Sequence, residues 1–224
     1  MNWDLPGRAS TYAGQIDAMF WVIAAITGLL FVIVEAGLLY FLVKYRARPG
    51  RRAAYIEGST RAEVVWTALP ALILVALAVA SARVWAKVKD PRNFPANAVP
   101  VRVEAKQFEW NVTYPGPDGA LGTADDFTKR NDLRVPVGRP VLVHLAAQDV
   151  IHSFFVPEFR IKQDAVPGME IPVWFEATET GEFELACAEL CGLGHYRMRG
   201  TVRVLTPEAF EAWMAAGGPE AGTE

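Results

Sequence analysis

Two long apolar runs dominate the first third of the chain: AMFWVIAAITGLLFVIVEAGLLYFLV over residues 18–43 and VVWTALPALILVALAVASARVWA over residues 64–86. Each exceeds the roughly 20 apolar residues that carry an α-helix across a bilayer. One charge interrupts the first run, Glu35, and one lies near the end of the second, Arg83. The expected unit is a transmembrane hairpin over residues 18–92, preceded by a tail over residues 1–17. Neither run reads as a cleaved signal. The first lacks a basic flank before it and a small-residue cleavage site after it, and it continues into a basic loop.

That loop, residues 44–63, carries Lys44, Arg46, Arg48, Arg51, Arg52 and Arg61, whereas the tail carries Arg8. Basic loops stay on the cytoplasmic side. Both termini, and everything after about Lys87, are therefore expected outside, most simply outside a bacterial plasma membrane. Trp21, Trp66 and Trp85, near the ends of the runs, suit the membrane interface. Pro70 sits in the second run, where membrane helices tolerate it. Glu35 reads either as a proton-pathway group or as a carboxyl hydrogen-bonded against a partner helix. Both readings put neighbouring protein beside it rather than bare lipid.

From about Val99 the pattern becomes short and alternating: VRVEAKQFEWNVTY, LRVPVGRPVLVHL, IPVWFEA, GEFELAC and GTVRVLT. Runs of this length, rich in β-branched and aromatic residues and bounded by Gly, Pro and Asp, predict strands of an antiparallel sandwich or barrel. The domain is placed at residues 93–206. TPEAFEAWMAAGG then predicts a short helix within residues 207–224, with Thr206 as N-cap, Pro207 at the first position and Gly217 as the stop. Acidic residues outnumber basic ones after residue 86, which points to a basic protein partner or plain solubility and away from nucleic acid. PGPDGALGTADDF reads as a polar hairpin turn. Asp118, Asp125 and Asp126 are oxygen donors suited to calcium, but their spacing is not that of an EF-hand loop.

The segment CAELCGLGHYRM holds both cysteines of the chain, Cys187 and Cys191, followed by His195 and Met198. In an oxidising compartment two cysteines first suggest a disulfide. Four residues apart in one loop, they would close a very small, strained ring. Two thiols, an imidazole and a thioether are also a soft donor set that suits copper, with zinc as the other metal candidate. A second imidazole must come from elsewhere. His152, in the loop-like stretch DVIHSFFVPEF, is favoured over His144, which reads as a half-exposed strand residue in VLVHL.

DVIHSF, KQDAVPG and CAELCGLGHYRM resemble subunit II of the haem–copper oxidases in its cytochrome c oxidase form, and the likeness extends over nearly the whole chain. The resemblance implies a two-helix hairpin and an exported cupredoxin-like Greek-key sandwich holding a dinuclear copper centre, CuA. It implies that Cys187 and Cys191 bridge both ions, that His152 and His195 bind one each, and that Met198 and the backbone carbonyl of Glu189 complete the set. By the same resemblance the Glu189 side chain binds a magnesium ion shared with subunit I. Glu63, in EVVWTALP, lies at a proton-channel entrance or is a solvated interfacial charge. The segment KQFEWNVTYPGPDG is similar to the family's electron-entry region. It departs from the usual pattern, with Phe108 at the entry tryptophan position and Glu109 after it, while Trp110 is kept. The implied partners are oxidase subunits I and III and a cytochrome c or similar donor.

The expected role is electron transfer from cytochrome c through CuA to haem in subunit I, where oxygen is reduced and protons are pumped. The chain lacks C-x-x-C-H and is expected to carry no haem of its own. Two alternatives stand beside this role: a CuA-bearing subunit of a nitric oxide reductase, and a membrane-anchored copper-binding or assembly protein.

Overall fold

The computed structural model describes residues 4–219 of the 224-residue chain. The ends of the expected N-terminal tail and C-terminal segment, residues 1–3 and 220–224, lie outside the described residues. The chain forms two units, Asp17–Trp85 and a second built from Met1–Ile16 with Ala86–Glu224.

Two helices supply the first unit, α1 (Ala13–Lys44) and α2 (Thr60–Lys89). Both are long and apolar enough to cross a membrane. Both outlast the apolar runs, because helix formation continues into polar flanks wherever nothing breaks it. Ser59 starts α2, its Oγ accepting from the Ala62 N–H at 3.4 Å. Pro70 lies inside α2 without ending it. Across the hairpin, Ile23, Ile26, Thr27 and Leu30 of α1 and Ile73, Leu74 and Leu77 of α2 line an apolar crevice of about 440 Å³.

The second unit is a sandwich of two five-stranded sheets. Its strands are β1 (Val99–Lys106), β2 (Glu109–Tyr114), β3 (Phe127–Arg130), β4 (Asp132–Pro136) and β5 (Pro140–Ala147). They continue with β6 (His152–Val156), β7 (Ile161–Ala165), β8 (Ile171–Glu176), β9 (Gly181–Cys187) and β10 (Arg199–Leu205). The sheets run β3-β2-β1-β5-β8 and β4-β10-β9-β6-β7. Period-two alternation buries one face of β1, β2 and β5. Val101, Val103, Trp110, Leu133, Val143, Leu145, Phe154, Phe175 and Leu185 are fully buried in the core. Each such side chain contributes about 1.5–3 kcal/mol by leaving water.

Two expectations need correction. The sheets are not purely antiparallel: β1 runs parallel to β5 and β4 parallel to β10. The chain changes sheet between β3 and β4 at Asn131 (φ 58°), and again between β4 and β5 at Gly138 (φ 69°). A strand that returns through the opposite sheet can arrive alongside its neighbour in the same direction. The stretch around His152 is also not a loop. It is strand β6, buried at four of its five residues, so it shows no alternation to read.

The hairpin turn at 115–127 satisfies itself. Asp118 accepts from Ala120 N–H at 2.8 Å and Asp126 from Gly122 N–H at 2.7 Å, while Thr123 Oγ1 donates to Asp125 at 2.6 Å. The helix α3 (Pro207–Ala215) is capped by Thr206, whose side chain accepts from Ala209 N–H at 3.3 Å, and Gly217 follows it at φ 70°. Its Trp213 stands edge-on to Tyr114 at 4.9 Å. The N-terminal segment also belongs to the sandwich. Ala9 N–H donates to Glu158 O at 3.0 Å, Thr11 N–H to Glu176 O at 3.1 Å and Tyr12 Oη to Trp174 O at 3.1 Å.

Candidate metal centre

Three strand ends build the site. β6 opens with His152, β9 closes with Cys187, and β10 begins at Arg199. Phe154 pairs with Cys187 and Arg199 with Ala186, so both feet of the 188–198 loop are held by sheet hydrogen bonds. Within the loop, His195 N–H donates to Gly192 O at 3.0 Å and Met198 N–H to His195 O at 3.1 Å. These tight turns swing His195 and Met198 back toward the cysteines. Gly192 adopts φ 130°, a conformation that favours glycine.

The donors converge. Cys187 Sγ and Cys191 Sγ lie 3.8 Å apart, far beyond the bond length of about 2.05 Å in a disulfide. Each sulfur has its own imidazole: His152 Nδ1 is 3.9 Å from Cys187, and His195 Nδ1 is 3.7 Å from Cys191. The Glu189 carbonyl oxygen is 3.3 Å from Cys187 Sγ, and Met198 Sδ is 3.8 Å from Cys191 Sγ. His152, Cys187, Cys191 and Met198 are buried, and His195 is half-buried. Burial, and then the neighbouring Cys187, pushes the Cys191 thiol up to about 11. A metal that binds here must displace that proton.

His144 is not part of this cluster. It lies on β5, in the other sheet, and its Nδ1 meets Glu170 Oε1 at 2.9 Å.

Two supporting residues went unread in the sequence. Asp149 Oδ1 takes the Nε2 side of His152 at 2.8 Å, while Asp149 Oδ2 accepts from Gln107 N–H at 2.7 Å. Burial opposes ionisation of Asp149, but His152 and the N–H groups of Gln107 and Val150 outweigh it and hold the carboxyl below its ordinary value. Gln107 Nε2 in turn donates to Cys191 O at 2.6 Å, tying the β1–β2 turn to the cysteine loop. The D-x-x-H spacing of Asp149 and His152 is the local signal that could have found Asp149.

The two aromatic candidates separate. Phe108 is half-buried and its ring lies over Gly194, where an added Cβ would stand 2.5 Å from Cδ2. Phe108 also lines a surface depression with Leu193, Tyr196 and Arg197. Trp110 is fully buried, edge-on to His152 at 6.3 Å and to Phe154 at 5.8 Å, so it has no face for a docking partner. The side chain of Glu189 is exposed, and Glu63 is exposed in the first turn of α2.

Residues 100–205 match the family model described as cytochrome C oxidase subunit II, periplasmic domain, and residues 1–84 match that family's transmembrane domain. The chain belongs to the cytochrome c oxidase subunit II family. The alternative cytochrome c oxidase subunit 2 of Bradyrhizobium diazoefficiens is 35% identical over 228 residues, covering 92% of this chain and 81% of that one. Cytochrome c oxidase subunit 2 of Thermostichus vulcanus is 32% identical over 261 residues, covering 93% and 77%. The crystal structure of the periplasmic domain of subunit II (CoxB) of Bradyrhizobium japonicum is 31% identical with a TM-score of 0.49, covering 55% of this chain and 95% of that one.

Membership makes this subunit II chain part of a haem–copper oxidoreductase, anchored by two apolar helices, with a catalytic subunit I as its partner. The family also implies copper, and the cysteine cluster fits it. Two free thiols, imidazole and thioether form a soft donor set in a largely buried pocket.

Proposed function

We propose that this chain is the electron-entry subunit of a terminal cytochrome c oxidase. Its exported domain takes electrons from a cytochrome c or similar donor and passes them to haem in subunit I. The observation that carries this reading is the pairing of each cysteine sulfur with its own imidazole across a 3.8 Å sulfur–sulfur gap. Such a set suits two ions sharing two thiolates better than one.

Cys187 and Cys191 would bridge, His152 and His195 would hold one ion each, and Met198 with the Glu189 carbonyl would complete the set. When bound, the copper pair supplies a one-electron redox centre. The protein's part is to hold the donors still. Asp149 keeps the Nε2 proton of His152 engaged and its Nδ1 turned to Cys187. Gln107 pins the Cys191 carbonyl. Phe108 covers Gly194 and shields the loop from water, and its partial exposure beside the buried Trp110 supports Phe108 as the residue a donor would meet first. The exposed Glu189 carboxylate is free to meet subunit I and a shared magnesium ion. Glu63 would stand at the inner end of the second span, beside a proton entrance of subunit I. Subunit III is a further expected partner.

The orientation belongs to the same reading: loop 44–63 inside, tail 1–17 and the domain outside, in a bacterial plasma membrane. It is supported by the tail residues Ala9, Thr11 and Tyr12 bonding to the sandwich, and by Trp174 Nε1 donating to Lys87 O at 3.3 Å.

The test is copper loading of the purified oxidase complex, read by metal analysis and electron paramagnetic resonance. The expected result is a hyperfine pattern from one electron shared equally by two copper nuclei on this chain, reduced rapidly by ferrocytochrome c. A signal from one isolated copper, or copper lost to a mild chelator with the fold intact, would refute the reading and favour copper delivery.

A further inference from the structure

Glu35 lies deep in the first apolar run, and neither the hairpin nor lipid satisfies it. It stands nine residues before Lys44, the last residue of α1. At 1.5 Å per residue that is about 14 Å from the helix end, inside a hydrocarbon core of about 30 Å. A carboxyl that deep cannot reach the interface by bending. Among the described residues, none hydrogen-bonds or ion-pairs with it. The basic residue at that end, Lys44, is turned to Tyr40 Oη instead.

Its direction follows from the helix period. The α1 residues that line the crevice against α2 are Ile23, Ile26, Thr27 and Leu30. At about 100° per residue, Glu35 lies about 130° round the helix from the middle of these four positions and about 80° from the nearest of them, Thr27. The crevice against the second span therefore opens on a different face of α1 from the one that carries Glu35. The face that does carry Glu35 holds Phe31, Leu38 and Leu39, all more than half exposed. One heptad earlier it holds Gly28, where an added Cβ would meet nothing within 4 Å. A small residue and a polar one on the same stripe are the features that let membrane helices approach closely and hydrogen-bond across the seam.

We propose that the Gly28–Glu35 stripe of α1 is a docking seam for a transmembrane helix of the catalytic subunit, and that this helix presents a hydrogen-bond donor to Glu35 at mid-membrane depth. The inference rests on the assignment of a haem–copper subunit I as partner. The chemistry selects the occupant: a polar side chain on a neighbouring helix satisfies the carboxyl, whereas an acyl chain leaves it unpaired.

The experiment uses the oxidase complex and the separated full-length chain, each in nanodiscs. An apolar carbodiimide labels carboxyls reachable from lipid, and mass spectrometry locates the adduct. Glu35 should be labelled in the separated chain and protected in the complex. Retention of subunit I under rising detergent should fall roughly three- to twentyfold in Glu35→Leu and be largely kept in Glu35→Gln. Circular dichroism of each variant checks that the chain has folded. Equal labelling of Glu35 in the complex, or undiminished retention in Glu35→Leu, would overturn the seam. Protection in the separated chain that tracks its self-association would also overturn it, by giving the seam to a second copy. Failure of the wild-type chain to co-purify with any haem-bearing subunit would instead sink the oxidase reading itself, so the two failures are distinguishable.

Discussion

His152 Nε2 and Asp149 Oδ1 lie 2.8 Å apart, and the opposite edge of the same ring turns Nδ1 toward Cys187 Sγ at 3.9 Å. With Nε2 engaged by Asp149, Nδ1 is the ring nitrogen that faces the cysteine sulfur. Replacing Asp149 by Asn keeps the shape but removes the charge that orients the ring. Asp149→Asn should weaken copper binding by about 10–100-fold. Competition against a graded series of chelators on the purified complex would measure it, and unchanged affinity would dismiss Asp149 as a positioning residue.

The contact between Phe108 and Gly194 predicts a coupled pair. A Cβ at residue 194 would stand 2.5 Å from Cδ2 and 2.7 Å from Cγ of Phe108. Gly194→Ala should destabilise the exported domain by about 1–3 kcal/mol through overpacking. The cost should shrink in a Phe108→Ala background, where the ring is gone. Denaturant titration of the four members of the double-mutant cycle reads the coupling, and additive costs would show that the two sites do not meet.

Tyr114 anchors the far end of the sandwich. Its hydroxyl donates to Arg134 O at 3.0 Å and accepts from Arg134 N–H at 2.5 Å, entirely inside the core. Tyr114→Phe leaves both backbone groups buried without that partner. The expected loss is about 1–3 kcal/mol. Equilibrium unfolding is the check, and a neutral result would mean that water or a shift of β4 replaces the hydroxyl.

Alkaline pH should unfold the domain through the same residue. Burial pushes the Tyr114 hydroxyl, and likewise that of Tyr12, above the ordinary phenol value. A raised folded-state value means that the native state holds the proton more tightly than the unfolded state. The stabilisation is present in full below about pH 10, the unfolded phenol value, and is lost as pH climbs from there through the folded-state values. Stability measured from pH 8 to 12 should fall above about pH 10. The fall should be shallower in Tyr114→Phe, and an identical slope in the variant would exclude Tyr114 as a cause.

Much of the site was legible because its signals are local. Cys187, Cys191, His195 and Met198 sit within one short loop, so their soft-donor chemistry can be read from spacing alone. The spans at 18–43 and 64–86 show themselves by length and lack of charge, and the cap of α3 by Thr206 and Pro207. Strand β6 was harder, since burial on both faces erased the alternation that marks a strand.

What the sequence alone determined is therefore the inventory: two membrane helices, a β-rich exported domain, and a set of thiol, imidazole and thioether donors. The tertiary structure decided the pairings. It brought His152, which the sequence already favoured, to the cysteines by putting β6 beside β9, while β5 carried His144 into the other sheet. It buried Trp110 and left Phe108 over Gly194, and it brought Gln107 to Cys191 from 84 residues away. It also set β1 parallel to β5. The physical reason is the range of the forces. Periodicity, capping and spacing act between near neighbours, whereas sheet register and the crossing of a Greek key are settled only when distant strands compete for the same core.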